Sequence, residues 1–259
     1  GVPMQKNSEQ AQYLLQSVDN ALCVLNLFDN ADKLSLTEIA AQMGMGKTTA
    51  LRLVYTLEMR GFLCRGKDNK YSLGMRLFTL GNRVYEQKSY LPVVTPLLDQ
   101  LTEKLNESSH LVTWENRARV ILLYEALPHL SLRTEMDRSI SSRPPHLTST
   151  GLALLSTLSD EQIDIYANSA TFEKRTAYSI SSREQLEEDV RFVRTHGYAI
   201  NNQRFEQGLI SIAVPVQKEK GVPADFAISI SGPSTRIAGR EEAVVQALFD
   251  TAEQISRML

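Results

Sequence analysis

Lys47, Thr48, Thr49, Leu51, Arg52 and Tyr55 fall within nine residues of one another. Their spacing places them around the outside of a helix whose inner stripe is Ala50, Leu53, Val54 and Leu57. Cations, hydroxyls and an aromatic ring are the side chains that touch phosphates and base edges in a DNA major groove. Other chemistry is thinly supplied. His110, His129, His146 and His196 are scattered without metal-ligand spacing. The chain has no Gly-x-Ser-x-Gly elbow, no glycine-rich phosphate loop and no His-Glu-x-x-His. No catalytic residue, metal or cofactor is therefore expected. A Ser/His/Asp site assembled in three dimensions would leave no such signature.

Two helices around a tight turn must position that surface. Ser35 followed by Glu38 is a capping box, and Leu36, Ile39, Ala40 and Met43 give the first helix its buried stripe. Gly44 supplies a positive φ, Met45-Gly46 completes the turn, and the second helix runs from near Lys47 to a stop at Gly61. An ordinary αα-hairpin with a solvated face would read the same way over these residues alone. The sequel separates the two. Phe62 to Leu73 reads as a short hairpin whose tip, Gly66 to Lys70, is rich in Gly, Asp and Asn, with Arg65, Lys67 and Lys70 on it. A helix-turn-helix followed by such a hairpin is a winged arrangement. From Lys47 to Arg76 there are seven cations against two anions, a local net of +5, in a chain whose total is −2. That local concentration is the electrostatic footprint of a DNA-binding module.

At 259 residues the chain divides most naturally in two. Residues 1–13 read as a polar tail, 14–76 as the winged helix-turn-helix, 77–90 as a linker helix broken at Pro92, and 91–259 as a second domain. The first helix carries Leu14, Val18, Leu22, Leu25 and Phe28 on one side, widened by Ala21, Val24 and Leu27. So broad a stripe suits either a fully buried helix or one that also meets a second subunit. No apolar run is long enough for a bilayer, the first residues lack a secretory pattern, and Cys23 and Cys64 lie in apolar stretches. A cytoplasmic protein with two buried free thiols is the expectation.

The second half alternates strands and helices, giving an α+β domain with one antiparallel sheet flanked by helices. Along residues 209–216, Ile210, Ile212, Val214 and Val216 share one face; Leu209, Ser211, Ala213 and Pro215 share the other. Phe226, Ile228 and Ile230 likewise oppose Ala227, Ser229 and Ser231. The bulky face is core. The small, hydroxyl-bearing face either lies exposed or leaves room for a small polar ligand.

These pieces together resemble the IclR-type bacterial transcription regulators. The resemblance is carried by Ser17-Val18-Asp19-Asn20-Ala21-Leu22, Leu36-Thr37-Glu38-Ile39-Ala40, Lys47-Thr48-Thr49-Ala50 with Arg52-Leu53, Leu57-Glu58, Gly61-Phe62 and Tyr71-Ser72-Leu73-Gly74. Gly197-Tyr198-Ala199, Glu206-Gln207-Gly208, Ala213-Val214-Pro215-Val216 and Ser229 to Pro233 extend it to the C-terminal half. It implies a ligand-responsive regulator that binds double-stranded operator DNA as a homodimer or dimer of dimers. It also implies an effector, expected to be a small carboxylic acid, held by Ser211, Ser229, Ser231, the Ser149 and Thr150 backbone N–H groups in a loop before a helix, and Asn201. Two departures stand out: Ser211 where many family members have Cys, and Gly151-Leu152 where many have Gly-Lys. The expected pocket thus contains no Arg or Lys. Trp114, Tyr124 and Tyr166 would line it if the acid were aromatic, or else are core. A C-terminal domain that only oligomerises, or a metabolic enzyme fused to a DNA-binding unit, are the rival readings.

Overall fold

In the computed structural model, which describes residues 13–87, 90–115, 117–136, 143–219 and 221–259, the chain forms two compact units, residues 1–89 and 90–259. Residues 1–12 of the expected tail, residues 88–89 of the expected linker and Ser142, which reads as loop from the sequence, lie outside the described residues.

In the first unit, α1 (Gln16–Asn26) runs into a 3-10 turn, Leu27–Asn30. Strand β1 (Leu34–Ser35) leads into α2 (Leu36–Gln42). The capping box is formed: Ser35 Oγ accepts from Glu38 N–H at 3.3 Å, and Glu38 Oε2 accepts from Ser35 N–H at 2.7 Å. Two donors that a helix start leaves unpaired are thereby satisfied. Gly44, at φ 61°, ends α2 and the turn opens α3 (Lys47–Met59). Strands β2 (Leu63–Arg65) and β3 (Lys70–Leu73) make the wing, and α4 (Met75–Gln87) follows. Strand β1 joins the wing in the order β1-β3-β2, a pairing that two residues are too few to announce in sequence. Val24, Phe28, Leu34, Ile39, Val54, Leu57, Leu63 and Tyr71 form the core.

Two expectations change here. Of the two readings of the first helix, the fully buried one gives way: Leu14, Val18 and Leu22 are 40%, 52% and 56% exposed, while Val24 of α1 and Phe28 of the following 3-10 turn are buried. The helix had more apolar surface than one side can hide. Cys64 is also exposed, and Cys23 only half-buried. Strand β2 is an edge strand whose alternate residues point away from the core.

The second unit begins with α5 (Leu91–Leu105), followed by the hairpin β4 (Ser108–Glu115) and β5 (Arg119–Ala126). A 3-10 turn (Pro145–Leu147) precedes α6 (Ser149–Leu155), α7 (Asp160–Ser169) and α8 (Arg183–His196). Then come β6 (Ala199–Asn202), β7 (Leu209–Val216), β8 (Phe226–Pro233), the short α9 (Ser234–Ile237) and α10 (Glu241–Met258). The antiparallel sheet has the order β5-β4-β8-β7-β6. Its bulky face packs Ile210, Ile212, Val214, Val216, Ile228 and Ile230 against α5 and α10. Its small-residue face packs Ala199, Ala213 and Ala227 against α6, α7 and α8. Both faces realise the period-two pattern of the strands. Gly151 lets α6 sit tightly on the preceding turn, since a Cβ there would lie 2.2 Å from the Pro145 carbonyl oxygen.

Candidate functional site

The first unit presents the surface read from sequence. Lys47, Thr48, Thr49, Leu51, Arg52 and Tyr55 are all exposed on α3, while Ala50, Val54 and Leu57 are buried beneath them. Gly46 caps α3 without a side-chain hydrogen bond, so the first-turn N–H groups are left to solvent or a ligand. On the wing, Arg65, Lys67 and Lys70 are exposed. Asp68 is the tip's acid, and it is occupied: Lys33 Nζ donates to it at 3.1 Å and the Lys70 N–H at 3.3 Å. The Lys33 ammonium holds the Asp68 carboxyl below the usual carboxylate range. The Arg65 guanidinium lies 5.7 Å from the Tyr71 ring centre.

The second unit holds a cavity of about 240 Å³ on the serine-bearing part of its sheet. Strand register explains why the serines converge. Asn201, Ser211, Ser231 and Ser108 form one row across β6, β7, β8 and β4. The next row holds Ala199, Ala213, Ser229, His110 and Glu125. Ser211, Ser229 and Ser231 line the cavity together with Ser149, Thr150 and Asn201, so all six expected residues meet at one place. Their roles differ. Ser231 Oγ is buried with no protein partner. Ser211 Oγ and Ser149 Oγ share a hydrogen bond of 2.8 Å. Asn201 is a tie: its Nδ2 donates to Leu147 O at 2.7 Å and its Oδ1 accepts from Arg204 N–H at 2.9 Å, fixing the turn before α6 against the loop after β6.

Ser149 and Thr150 are not loop residues but the first turn of α6, behind the cap residue Thr148, whose Oγ1 accepts from Gly151 N–H at 3.0 Å. The Thr148 hydroxyl caps the helix, which therefore starts at Ser149, two residues before Gly151. A second correction concerns charge. Arg143 and Arg175 both line the cavity, beside Glu135 and Glu206. Their guanidinium carbons lie 4.5 Å and 4.3 Å from the centre of the Phe205 ring. Both arginines sit in connecting segments, where no periodicity marks them.

Sequence reading also missed a buried polar chain. Ser229 Oγ lies 3.3 Å from His110 Nδ1, and His110 Nε2 lies 3.2 Å from Glu125 Oε1, which also accepts from Met136 N–H at 2.7 Å. His110 and Glu125 are directly paired across the hairpin, a fact that only the register reveals. None of Trp114, Tyr124 and Tyr166 lines this cavity. Trp114 Nε1 donates to Ala224 O at 3.1 Å, Tyr124 Oη to Asp99 at 2.7 Å, and Tyr166 Oη meets His146 Nδ1 at 2.6 Å. Burial pushes the His146 imidazole down to about 4 and the Tyr166 phenol up, so both are neutral at pH 7. Among the described residues, no group of three or more His, Cys, Asp or Glu is placed to hold a metal, and no helix is long and apolar enough to cross a membrane.

Known proteins share this architecture. The pattern described as bacterial transcriptional regulator IclR C-terminal matches residues 86–257, and the IclR helix-turn-helix domain matches residues 17–65. The HTH-type transcriptional regulator XynR of Escherichia coli K12 is 29% identical over 233 residues, spanning 89% of this chain and 91% of that protein. The crystal structure of an IclR transcriptional regulator from Alicyclobacillus acidocaldarius is 27% identical, with a TM-score of 0.82 over 95% of this chain and 99% of that one. An IclR homologue from Microbacterium hydrocarbonoxydans, crystallised with 4-hydroxybenzoate, is 24% identical with a TM-score of 0.78, covering 93% of this chain and 98% of its own. That last likeness is one of fold.

Proposed function

The chain belongs to the IclR family of bacterial transcriptional regulators, and from that premise we propose that it controls transcription in response to a small organic acid bound in the cavity of its second unit. It is a DNA-binding regulator rather than an enzyme. In this reading α3 enters the major groove with Thr49, Leu51, Arg52 and Tyr55 toward base edges. Lys47 and Thr48, beside the uncapped helix start, meet phosphate, as do Arg65, Lys67 and Lys70 on the wing. Residues 77–90 link the two functions, and the protein acts in the cytoplasm, on the DNA it regulates.

The observation that carries the effector reading is Ser231 Oγ, a buried hydroxyl without a protein partner on the wall of a polar cavity. A buried polar group of this kind calls for a hydrogen-bonding partner, which a ligand in the cavity can supply. Ser211, Ser149 and the backbone N–H groups of Ser149 and Thr150 offer further donors to a carboxylate. The volume lies below the range that drug-sized ligands need, which favours a compact acid. A solid apolar interior would have favoured a second unit that only oligomerises. The neighbour from Microbacterium holds a hydroxylated aromatic acid, so 4-hydroxybenzoate is a natural first probe. A thermal-shift screen of small carboxylic acids tests the proposal. Acids that raise the melting temperature of the wild type but not of Ser231→Ala support it; a screen without a single hit leaves the cavity without an acid to bind.

We place two copies in the working unit. The apolar residues that α1 and α4 leave exposed, Val18 and Leu22 on one and Met75, Phe78 and Val84 on the other, suit a contact with a second chain.

A further inference from the structure

We infer that the effector is a hydroxy acid: its carboxylate meets the row of Ser211 and Ser231, and its own hydroxyl donates to Ser229 Oγ. This deepens the acid reading above and rests on it. The direction of one hydrogen bond carries the inference. His110 and Ser229 both line the cavity, and both are buried, at 2% and 3% exposed. Behind His110 stands Glu125, its direct partner across the hairpin of β4 and β5. Glu125 Oε1 accepts from Met136 N–H at 2.7 Å and lies 3.2 Å from His110 Nε2. An ionised carboxylate has lone pairs and no proton to give, so His110 Nε2 is the donor. A neutral imidazole carries one N–H, which leaves His110 Nδ1 an acceptor. Ser229 Oγ, 3.3 Å away, therefore donates to Nδ1. A serine hydroxyl has a single proton, and here His110 holds it. What Ser229 turns to the cavity is lone pairs.

The neighbouring row has the opposite polarity. Ser231 Oγ is buried with no protein partner, so its O–H is available to the cavity. Ser211 and Ser149 use one proton in the 2.8 Å bond between them, which leaves the other O–H to donate. Ser211 and Ser231 stand directly opposite each other on β7 and β8, as do Ala213 and Ser229 one row further on. Rows two residues apart along a strand are separated by about 7 Å. Toward β7 and β6 the Ser229 row continues with Ala213 and Ala199, which bring no polar side chain to it. A carboxylate only accepts, so it suits the Ser211 and Ser231 row; against Ser229 its lone pairs would meet lone pairs. A hydroxyl suits Ser229, because it can donate where a keto oxygen cannot. A small acid lying along the strands, carboxylate on one row and hydroxyl on the other, satisfies both.

Calorimetric titration of the full chain at pH 8 with near-isosteric pairs decides the matter: each enantiomer of lactate against pyruvate, 3-hydroxybutyrate against acetoacetate, 4-hydroxybenzoate against 4-fluorobenzoate. The hydroxy acid of at least one pair should bind about tenfold or more tightly than its partner. Ser229→Ala should remove that advantage, and Ser231→Ala should weaken both members of the pair alike. Glu125→Gln supplies a sharper readout. Its amide oxygen can still accept from Met136 N–H, while its N–H group donates to His110 Nε2 and drives the imidazole proton to Nδ1. Ser229 then turns its own proton to the cavity, and the pair's preference should vanish or reverse. Equal affinity within every pair, or a preference that Ser229→Ala or Glu125→Gln leaves intact, overturns the hydroxy-acid inference while leaving the acid site standing. Absence of binding by any acid of either kind removes the acid reading and this inference together. Circular dichroism of the ligand-free variants separates a lost contact from a lost fold; should Glu125→Gln not fold, the wild-type ratios and Ser229→Ala still decide.

Discussion

Ser229 and Ser231 stand two residues apart on one strand face, yet replacing them should do different things. Ser231 Oγ has no protein partner, so Ser231→Ala should leave stability alone and cost about 1.5–3 kcal/mol of affinity for an anionic effector. Ser229 Oγ faces His110 Nδ1, so Ser229→Ala strands a buried imidazole nitrogen and should cost about 1–3 kcal/mol of stability. Urea unfolding of both variants beside acid titration checks the contrast; a Ser229→Ala protein as stable as wild type would show that the hydrogen bond to His110 contributes nothing. His146 gives a pH signature. Its imidazole titrates near 6.5 in the unfolded chain and near 4 in the fold, because burial disfavours the charged form. Between those values the unfolded state binds more protons. The contribution is therefore fully present above about pH 6.5 and is lost as pH falls toward 4, by up to about 3 kcal/mol. A His146→Gln protein should lose less stability than wild type between pH 7 and pH 5. Parallel stability curves across that range would count against this assignment.

Elements were the scale at which the sequence spoke most clearly. The Ser35 and Glu38 box, the Gly44 stop, the α3 stripe and the split faces of β7 and β8 are all written in spacings of two to four residues, and each is formed. What lay hidden was long-range. Ser229 meets His110 across 119 positions, and Arg143 reaches Phe205 only because a loop crosses the sheet. Neither contact leaves a periodic trace. The small face of the sheet therefore pointed to one wall of the cavity and not to Arg143 and Arg175, which also line it. For α3 and the wing the predictions are about DNA. Arg52→Ala and Thr49→Ala should relax sequence preference, at about 1–3 kcal/mol per lost base contact. Lys67→Ala should weaken binding to all sequences alike and lower the salt slope by about 0.9. Gel shifts at several salt concentrations distinguish the two; normal operator binding by Arg52→Ala would displace the recognition surface from α3.

For the whole molecule, specific recognition by one small basic unit is a weak prospect, whereas two-fold pairing would set two copies of α3 about 34 Å apart, or a multiple of that, along the DNA. Light scattering should find a dimer or larger at micromolar concentration, and charged substitutions at Leu22 or Phe78 should lower both the mass and the operator affinity. A monomer that still binds its operator specifically would refute pairing. For an effector to change operator affinity it must prefer one arrangement of the paired units, so cavity variants should shift the dose of acid required and not the affinity of the ligand-free protein for DNA. The exposed thiol of Cys64 supplies a clock for that coupling. It sits on the wing, whereas Cys23 is half-buried, so an alkylating reagent should consume Cys64 first. Operator DNA that covers the wing should slow its alkylation, and an effector that releases the DNA should restore the original rate. Labelling kinetics would then follow induction in solution, one thiol at a time, without a reporter gene.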